Sequence, residues 1–239
     1  MKYSEFSNYL SNELNNHDIK LDNYKIEVLF NYMRDLLEWN DKINLTAITN
    51  ENEFVMKHYV DSLIATKYVD FNDNEIIDIG TGGGFPGIPM KIALPESRIT
   101  LVDSINKKLN VIRDIVQKNN IDNINIVHSR AEDLGIDANY REKFDVVVSR
   151  AVANLTTLVE LLIPFAKVGG KIICMKGPGL EEELDSSRKA ISILGGQVMK
   201  IENYDLKNEK RKILLIKKTK STPKNYPRKS GIPLKNPIH

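Results

Sequence analysis

Asp78-Ile79-Gly80-Thr81-Gly82-Gly83-Gly84-Phe85-Pro86-Gly87 follows a short β-branched run, Glu75 to Ile79, and leads into a helical segment from Ile88. At such a strand-to-helix turn, glycines let the backbone bend sharply and approach a ligand closely. The free N–H groups of the helix's first turn then face that ligand. The stretch predicts a site for a nucleotide-like group at the carboxyl edge of a sheet.

Further β-branched runs follow at Arg98 to Asp103, Ile124 to His128, Phe144 to Ser149 and Gly170 to Met175. Helical segments from Ile88, Ile105, Leu155 and Leu180 separate them, each long enough for a right-handed crossover, so the sheet is expected to be parallel. After Gly195-Gly196, strands over Gln197 to Tyr204 and Lys212 to Lys217 are joined by a short polar connection that reads as a hairpin. The sheet should therefore end antiparallel. Before the sheet, apolar residues at Tyr3, Phe6, Leu10 and Leu14, and then at Ile26, Leu29, Phe30, Met33, Leu36 and Leu37, keep helical spacing. A third helix is expected from Glu51, with Asn50 as N-cap. Pro223, Pro227, Pro233 and Pro237 forbid regular helix or central strand after Thr219, which places the tail along the surface. The expected organisation is a helical extension over 1–70, an α/β domain over 71–218 and a basic, proline-rich tail over 219–239.

The net charge of +2 conceals an asymmetry. Ten of the 34 Lys and Arg lie from Lys210 onward, and no acidic residue follows Glu209. An acidic body with a basic end suits a phosphate-bearing partner, although a merely solvated tail has the same composition. No apolar run approaches the roughly 20 residues that cross a bilayer. The opening residues lack the layout of a secretory signal, and a lone Cys174 cannot form an intrachain disulfide. A cytoplasmic protein is expected.

Gly82, Gly84 and Gly87 also satisfy the dinucleotide pattern G-x-G-x-x-G, which opens the reading of an NAD-type oxidoreductase. The register disfavours it. The first glycine after the strand is Gly80, and five positions later stands Phe85, which would crowd a pyrophosphate. S-adenosylmethionine has no pyrophosphate. Asp103, closing the second strand, suits a carboxylate that accepts from both ribose hydroxyls, or equally a helix cap. Backbone groups at Ala131 and Glu132, after the third strand, are placed to recognise adenine. The favoured fold is thus a Rossmann-like class I SAM-dependent methyltransferase, with a mostly parallel seven-stranded sheet.

The fourth strand ends at Arg150, a candidate to hold cofactor, base or phosphate, or else an arginine ion-paired with a helix. Lys176, ending the fifth strand, is a similar case. No Asn-Pro-Pro-Tyr motif is present, and Cys174 is not preceded by proline, which disfavours two common base methylations. Guanine N7 needs neither device, because its in-plane lone pair attacks a methyl sulfonium directly and alignment is the main requirement. No general base and no metal are expected. His58 and Asp61, three apart on a helix, are read as packing residues.

Trp39-Asn40, Asn44-Leu45-Thr46-Ala47-Ile48, His58-Tyr59-Val60-Asp61-Ser62-Leu63 and the glycine turn resemble the RsmG (GidB) family. Leu101-Val102-Asp103-Ser104, Arg130-Ala131-Glu132, Ser149-Arg150-Ala151-Val152-Ala153, Lys176-Gly177 and Tyr226-Pro227-Arg228-Lys229-Ser230-Gly231 continue the likeness along nearly the whole chain. The resemblance implies an enzyme that methylates N7 of guanine 527 in 16S ribosomal RNA, in the small subunit or its precursor; a monomer is expected. It places cofactor contacts at Gly80, Phe85, Ala131, Glu132 and Arg150, with Asp103 as ribose partner; Gly82 joins them from the turn itself. Arg130 and Arg211 resemble arginines assigned to RNA or catalysis. Lys224, Arg228 and Lys229 are expected on phosphates, so deleting residues 221–239 should weaken RNA binding and flatten its salt dependence.

Overall fold

The computed structural model describes residues 1–70, 73–150, 153–207 and 209–238. Seven strands form one sheet: β1 (Glu75–Ile79), β2 (Arg98–Asp103), β3 (Ile124–His128), β4 (Phe144–Arg150), β5 (Ala166–Lys176), β6 (Gly196–Leu206) and β7 (Glu209–Lys218). Their order is β3-β2-β1-β4-β5-β7-β6. The pairs among β1 to β5 are parallel, and β7 runs antiparallel to both β5 and β6. Strand order reverses between β1 and β4, the crevice where open α/β sheets bind ligands.

Side chains alternate across the sheet and divide its interior into two cores. Ile76, Leu101, Val148 and Ile173 face one core; Ile77, Val102, Val147 and Ile172 face the other. The first core is completed by α1 (Tyr3–Asn15), α2 (Asn23–Asn40), α5 (Gly87–Ala93) and α6 (Asn106–Lys118); the N-terminal helices join it through Phe6, Leu10, Leu29 and Met33 as an outer layer, with α2 against α5 and α6. The second is completed by α8 (Leu155–Leu162) and α9 (Leu180–Ile193). Cys174 lies inside this second core, where burial pushes its thiol up to about 12, and it is inert there.

The third N-terminal helix begins as expected: Asn50 caps Glu53 N at 3.1 Å. After α3 (Glu51–Phe54) it widens into a π turn over Val55–Val60, resumes as α4 (Asp61–Ile64) and ends in a 3-10 turn over Ala65–Tyr68. Apolar periodicity does not distinguish a π turn from an α one. β5 starts four residues earlier than its β-branched run, its pairing with β4 interrupted between Phe144 and Val146. The β6–β7 hairpin closes at the Leu206–Glu209 pair, with Lys207 at φ +55° in its turn. Asn208, Ala151, Val152 and the first residues of the expected 71–218 domain, Phe71 and Asn72, lie outside the described residues, as does His239.

The tail departs from expectation. Thr222, Pro227, Pro233 and Ile238 are buried. Pro233 sits inside a short helix, α10 (Ile232–Lys235). Proline blocks the interior of a helix but not its first turn, where no N–H is needed.

Candidate active site

The glycine turn takes its shape from both sides. Gly80 and Thr81 donate to Val102 O at 2.9 and 3.0 Å, and Gly82 N donates to Asp103 Oδ2 at 2.9 Å. Beneath the turn lies Asp78, fully buried, whose Oδ2 accepts from Thr81 Oγ1 at 2.7 Å and Gly87 N at 2.9 Å. Burial raises this carboxyl to about 6, against the pull of those two bonds and of Arg150. Its Oδ1 has no hydrogen-bond partner among the described residues. The sequence gives Asp78 no role beyond its place in the strand, yet it fastens the turn.

Added side-chain atoms separate the glycines by purpose. A Cβ on Gly87 would come within 2.2 Å of Leu101 Cδ2, and one on Gly84 within 2.5 Å of the Tyr32 hydroxyl. On Gly82, at φ +58°, a Cβ would meet nothing within 4 Å. Only Gly82 of the three opens onto free space, so the apparent G-x-G-x-x-G pattern arises from packing rather than from a pyrophosphate cradle.

A cleft of about 410 Å³ lies over this turn, lined by Gly80, Gly82, Asp103, Ala131, Glu132 and Arg150 together with Thr157, Gly231 and Leu234. Asp103 Oδ1 also accepts from Ile105 N at 2.9 Å. Asp103 thus caps the approach to α6, and of the roughly four acceptor sites of a carboxylate two are taken among the described residues. The first turn of α7 (Ala131–Leu134) leaves the Ala131 and Glu132 N–H groups without intrahelical acceptors, and both residues line the same cleft. The donor and acceptor set fits a nucleoside-bearing cofactor. The Glu132 side chain, by contrast, accepts from Gly231 N at 2.9 Å.

A second cavity, of about 560 Å³, adjoins the first and shares Arg150 and Ala153 with it. Its lining includes Lys57, His58, Asp61, Lys176, Glu183, Tyr204 and Arg211. Arg150 organises it. The guanidinium donates to Lys57 O at 2.6 Å, Asp61 Oδ2 at 3.0 Å and His58 Nδ1 at 2.9 Å. A guanidinium can only donate, so Nδ1 is the acceptor and Nε2–H donates to Thr46 Oγ1 at 2.8 Å. Burial, aided by the Arg150 charge, lowers His58 to about 3 and keeps it neutral. Asp61 Oδ1 accepts from the Tyr204 hydroxyl at 2.7 Å. Thr46 in turn accepts from Ile48 N, and Asn40 Oδ1 accepts from the Leu45 and Thr46 amides. The ordered matches from Asn40 to Asp61 thus converge on one arginine.

Several expected site residues are placed differently. Phe85 is 4 % exposed and lines neither cavity; it lies under Arg150, whose guanidinium carbon is 5.4 Å from the ring centroid. Lys176 donates to Ala153 O at 2.8 Å and pairs with Glu183 at 2.7 Å, which commits it to the loop beyond β4. Arg228, expected on phosphate, is instead bidentate on Glu160, itself 1 % exposed. Arg211 lines the second cavity and pairs with Glu209 at 2.6 Å. Arg130, Lys224 and Lys229 are exposed and form no ion pair among the described residues. His58 and Asp61 do share a face, as their spacing indicates, but that face carries the arginine of the site. Among the described residues no group of His, Cys, Asp and Glu is arranged to hold a metal ion, and no helix is long and apolar enough to cross a membrane.

Residues 25–214 match the family model described as rRNA small subunit methyltransferase G. Ribosomal RNA small subunit methyltransferase G of Clostridium novyi is 45 % identical over 98 % of this chain and 97 % of its own. The protein of that name from Lactococcus lactis is 47 % identical over 94 % of this chain and 96 % of its own. Among solved structures, cofactor-bound Rv0187 from MTB aligns with a TM-score of 0.57 at 18 % identity, covering 80 % of this chain and 90 % of that one. A 16S rRNA (adenine(1408)-N(1))-methyltransferase from Catenulisporales acidiphilia aligns with a TM-score of 0.53 at 18 % identity, covering 63 % of this chain and 87 % of that one. These two share the fold.

Proposed function

Because the chain belongs to the rRNA small subunit methyltransferase G family, we propose that it transfers a methyl group from S-adenosylmethionine to N7 of guanine 527 in 16S ribosomal RNA, in the cytoplasm. The observation that carries the reading is the pair of adjoining cavities that share Arg150: one suits a nucleoside-bearing cofactor, the other has the size and polarity for a purine. The cofactor would supply the electrophilic methyl group. Asp103 would hold its ribose hydroxyls, the Ala131 and Glu132 amides its adenine, and Gly82 would admit its close approach.

The acceptor base would enter the second cavity out of its stack, as bases do when an enzyme must reach one of their atoms. N7 carries a lone pair and no proton, so the reaction asks for alignment rather than proton removal. The local chemistry agrees. His58 has both ring nitrogens engaged and stays neutral, and Asp61 is held by Arg150 and Tyr204. Neither is set up to shuttle a proton. Lys57 and Arg211 line the cavity and share Glu209 as a counter-ion, and Glu183, also in the lining, would accept from the N1–H and amino donors of a guanine edge.

The test is methyl transfer from labelled S-adenosylmethionine to small-subunit particles that lack the modification, with the product nucleoside identified. 7-Methylguanosine at one site, lost in Asp103→Ala, is the expected result. Cofactor binding without any labelled RNA would leave the fold and remove the RNA assignment.

A further inference from the structure

The tail from Thr219 onward is fastened at several points to the edge of the first cleft. Arg141 donates to Thr222 O and Tyr226 O, each at 2.7 Å. Arg228 donates from its backbone N at 2.8 Å and from Nε at 3.0 Å to Glu160 Oε1, and from Nη2 to Oε2 at 2.7 Å. Glu132 holds Gly231 N, and Thr157 Oγ1 donates to Pro233 O at 3.2 Å. Glu160 and Thr157 lie on α8 and Glu132 lies on α7, so these three clamps, unlike Arg141, come from elements that themselves border the cleft.

This fastening leaves Leu234 in an unusual position. Pro233 beside it is buried, yet the Leu234 side chain is 69 % exposed while lining the cleft. Its backbone neighbours are tied down and its apolar surface is left in water. Contact with a ligand in the cleft is what would bury it.

Resting on the cofactor reading above, we propose that Leu234 and the Gly231 backbone form the outer wall of the cofactor site, with Arg228 and Glu160 as the positioning pair that holds this wall in place. The tail then serves the cofactor as well as the substrate. Its exposed cations, Lys224 and Lys229, form no ion pair among the described residues, whereas Arg228 Nε and Nη2 are engaged by Glu160. Cofactor binding and tail docking stabilise one another, so each must strengthen the other by the same factor.

The experiment is calorimetric titration of the full-length protein with S-adenosylhomocysteine, beside trypsin cleavage after Lys224 and Lys229 with and without that ligand. Leu234→Ala removes an exposed side chain and should leave Tm within about 2 °C of wild type. It is expected to weaken binding by about three- to tenfold. Arg228→Ala should weaken binding at least as much, the Lys224→Ala/Lys229→Ala pair should leave it unchanged, and the ligand should slow tryptic cleavage of the wild-type tail. Wild-type affinity in Leu234→Ala, with cleavage indifferent to ligand, overturns the proposal. So does an Arg228→Ala protein that loses RNA binding but keeps its cofactor affinity, since Arg228 would then be a phosphate contact. A wild-type protein that binds no S-adenosylhomocysteine overturns the cofactor reading itself, an outcome separate from either.

Discussion

His58 stacks on Phe85, with ring centroids 4.2 Å apart and planes 9° from parallel, while its Nδ1 accepts a hydrogen bond from Arg150. The stack explains why a phenylalanine stands in the glycine turn: it is the floor on which the histidine and the arginine are set. Protonating His58 would put a second positive charge against the guanidinium inside a buried site.

A pH dependence follows from that arrangement. His58 is lowered from 6.5 to about 3 on folding, first by burial and then by Arg150. The unfolded chain therefore takes up the proton first, and stability is lost as pH falls below about 6.5. Between pH 7.5 and 5.0 this group alone should cost about 2 kcal/mol. Asp78, raised to about 6, opposes the trend between its unfolded value and about 6. Urea unfolding of wild type and His58→Gln at the two pH values isolates the histidine: the variant should lose about 2 kcal/mol less. Parallel losses would refute the assignment.

Arg150 and Asp61 form an ion pair at 3.0 Å, with side chains 15 % and 7 % exposed. Arg150→Met should destabilise the fold by about 3 kcal/mol, because a buried carboxylate loses its counter-charge. Adding Asp61→Asn should recover at least about 1 kcal/mol of that loss. Strict additivity in the double-mutant cycle would show that the pair is not coupled.

The glycines of the turn should fail in different ways. Gly87→Ala forces contact with Leu101 and Asp78 and is expected to cost about 1 to 3 kcal/mol in a denaturant melt. Gly82→Ala meets no atom and costs about 1 to 2 kcal/mol for its left-handed backbone. It should nonetheless lose more affinity for S-adenosylhomocysteine than its stability loss accounts for. Equal binding by Gly82→Ala and wild type would remove Gly82 from the cofactor site.

RNA binding by the tail is best tested with point variants, since deleting residues 221–239 would also strip Gly231 and Leu234 from the cleft. Lys224→Ala/Lys229→Ala should weaken binding to small-subunit RNA and reduce the slope of log K against log salt by about 1.4 to 1.8. An unchanged slope would mean that these lysines do not touch phosphates.

What the sequence discloses here is whatever repeats at short range. The β-branched runs place all seven strands because sheet faces alternate every second residue, as Ile76 and Ile77 do on opposite cores. The turn from Asp78 to Gly87 is legible because its constraints are local, with Asp78 accepting from Thr81 and Gly87 inside the same ten residues. Arg150 with His58, 92 positions apart, and Arg228 with Glu160, 68 apart, obey no period. Their pairing exists only once the sheet has brought the π turn over Val55–Val60, β4, α8 and the tail together. The tail misleads for a related reason. Proline excludes certain backbone positions, but it does not say whether a segment is anchored, and the anchors Arg141, Glu160 and Glu132 all lie on other elements.

Arg150 is a wall common to both cavities, so the two ligands do not meet indifferent surfaces. The guanidinium they share is already held by Lys57 O, Asp61 and His58, so neither ligand has to place it. A substitution at Arg150 is therefore expected to disturb both cavities at once, whichever of them an experiment reads.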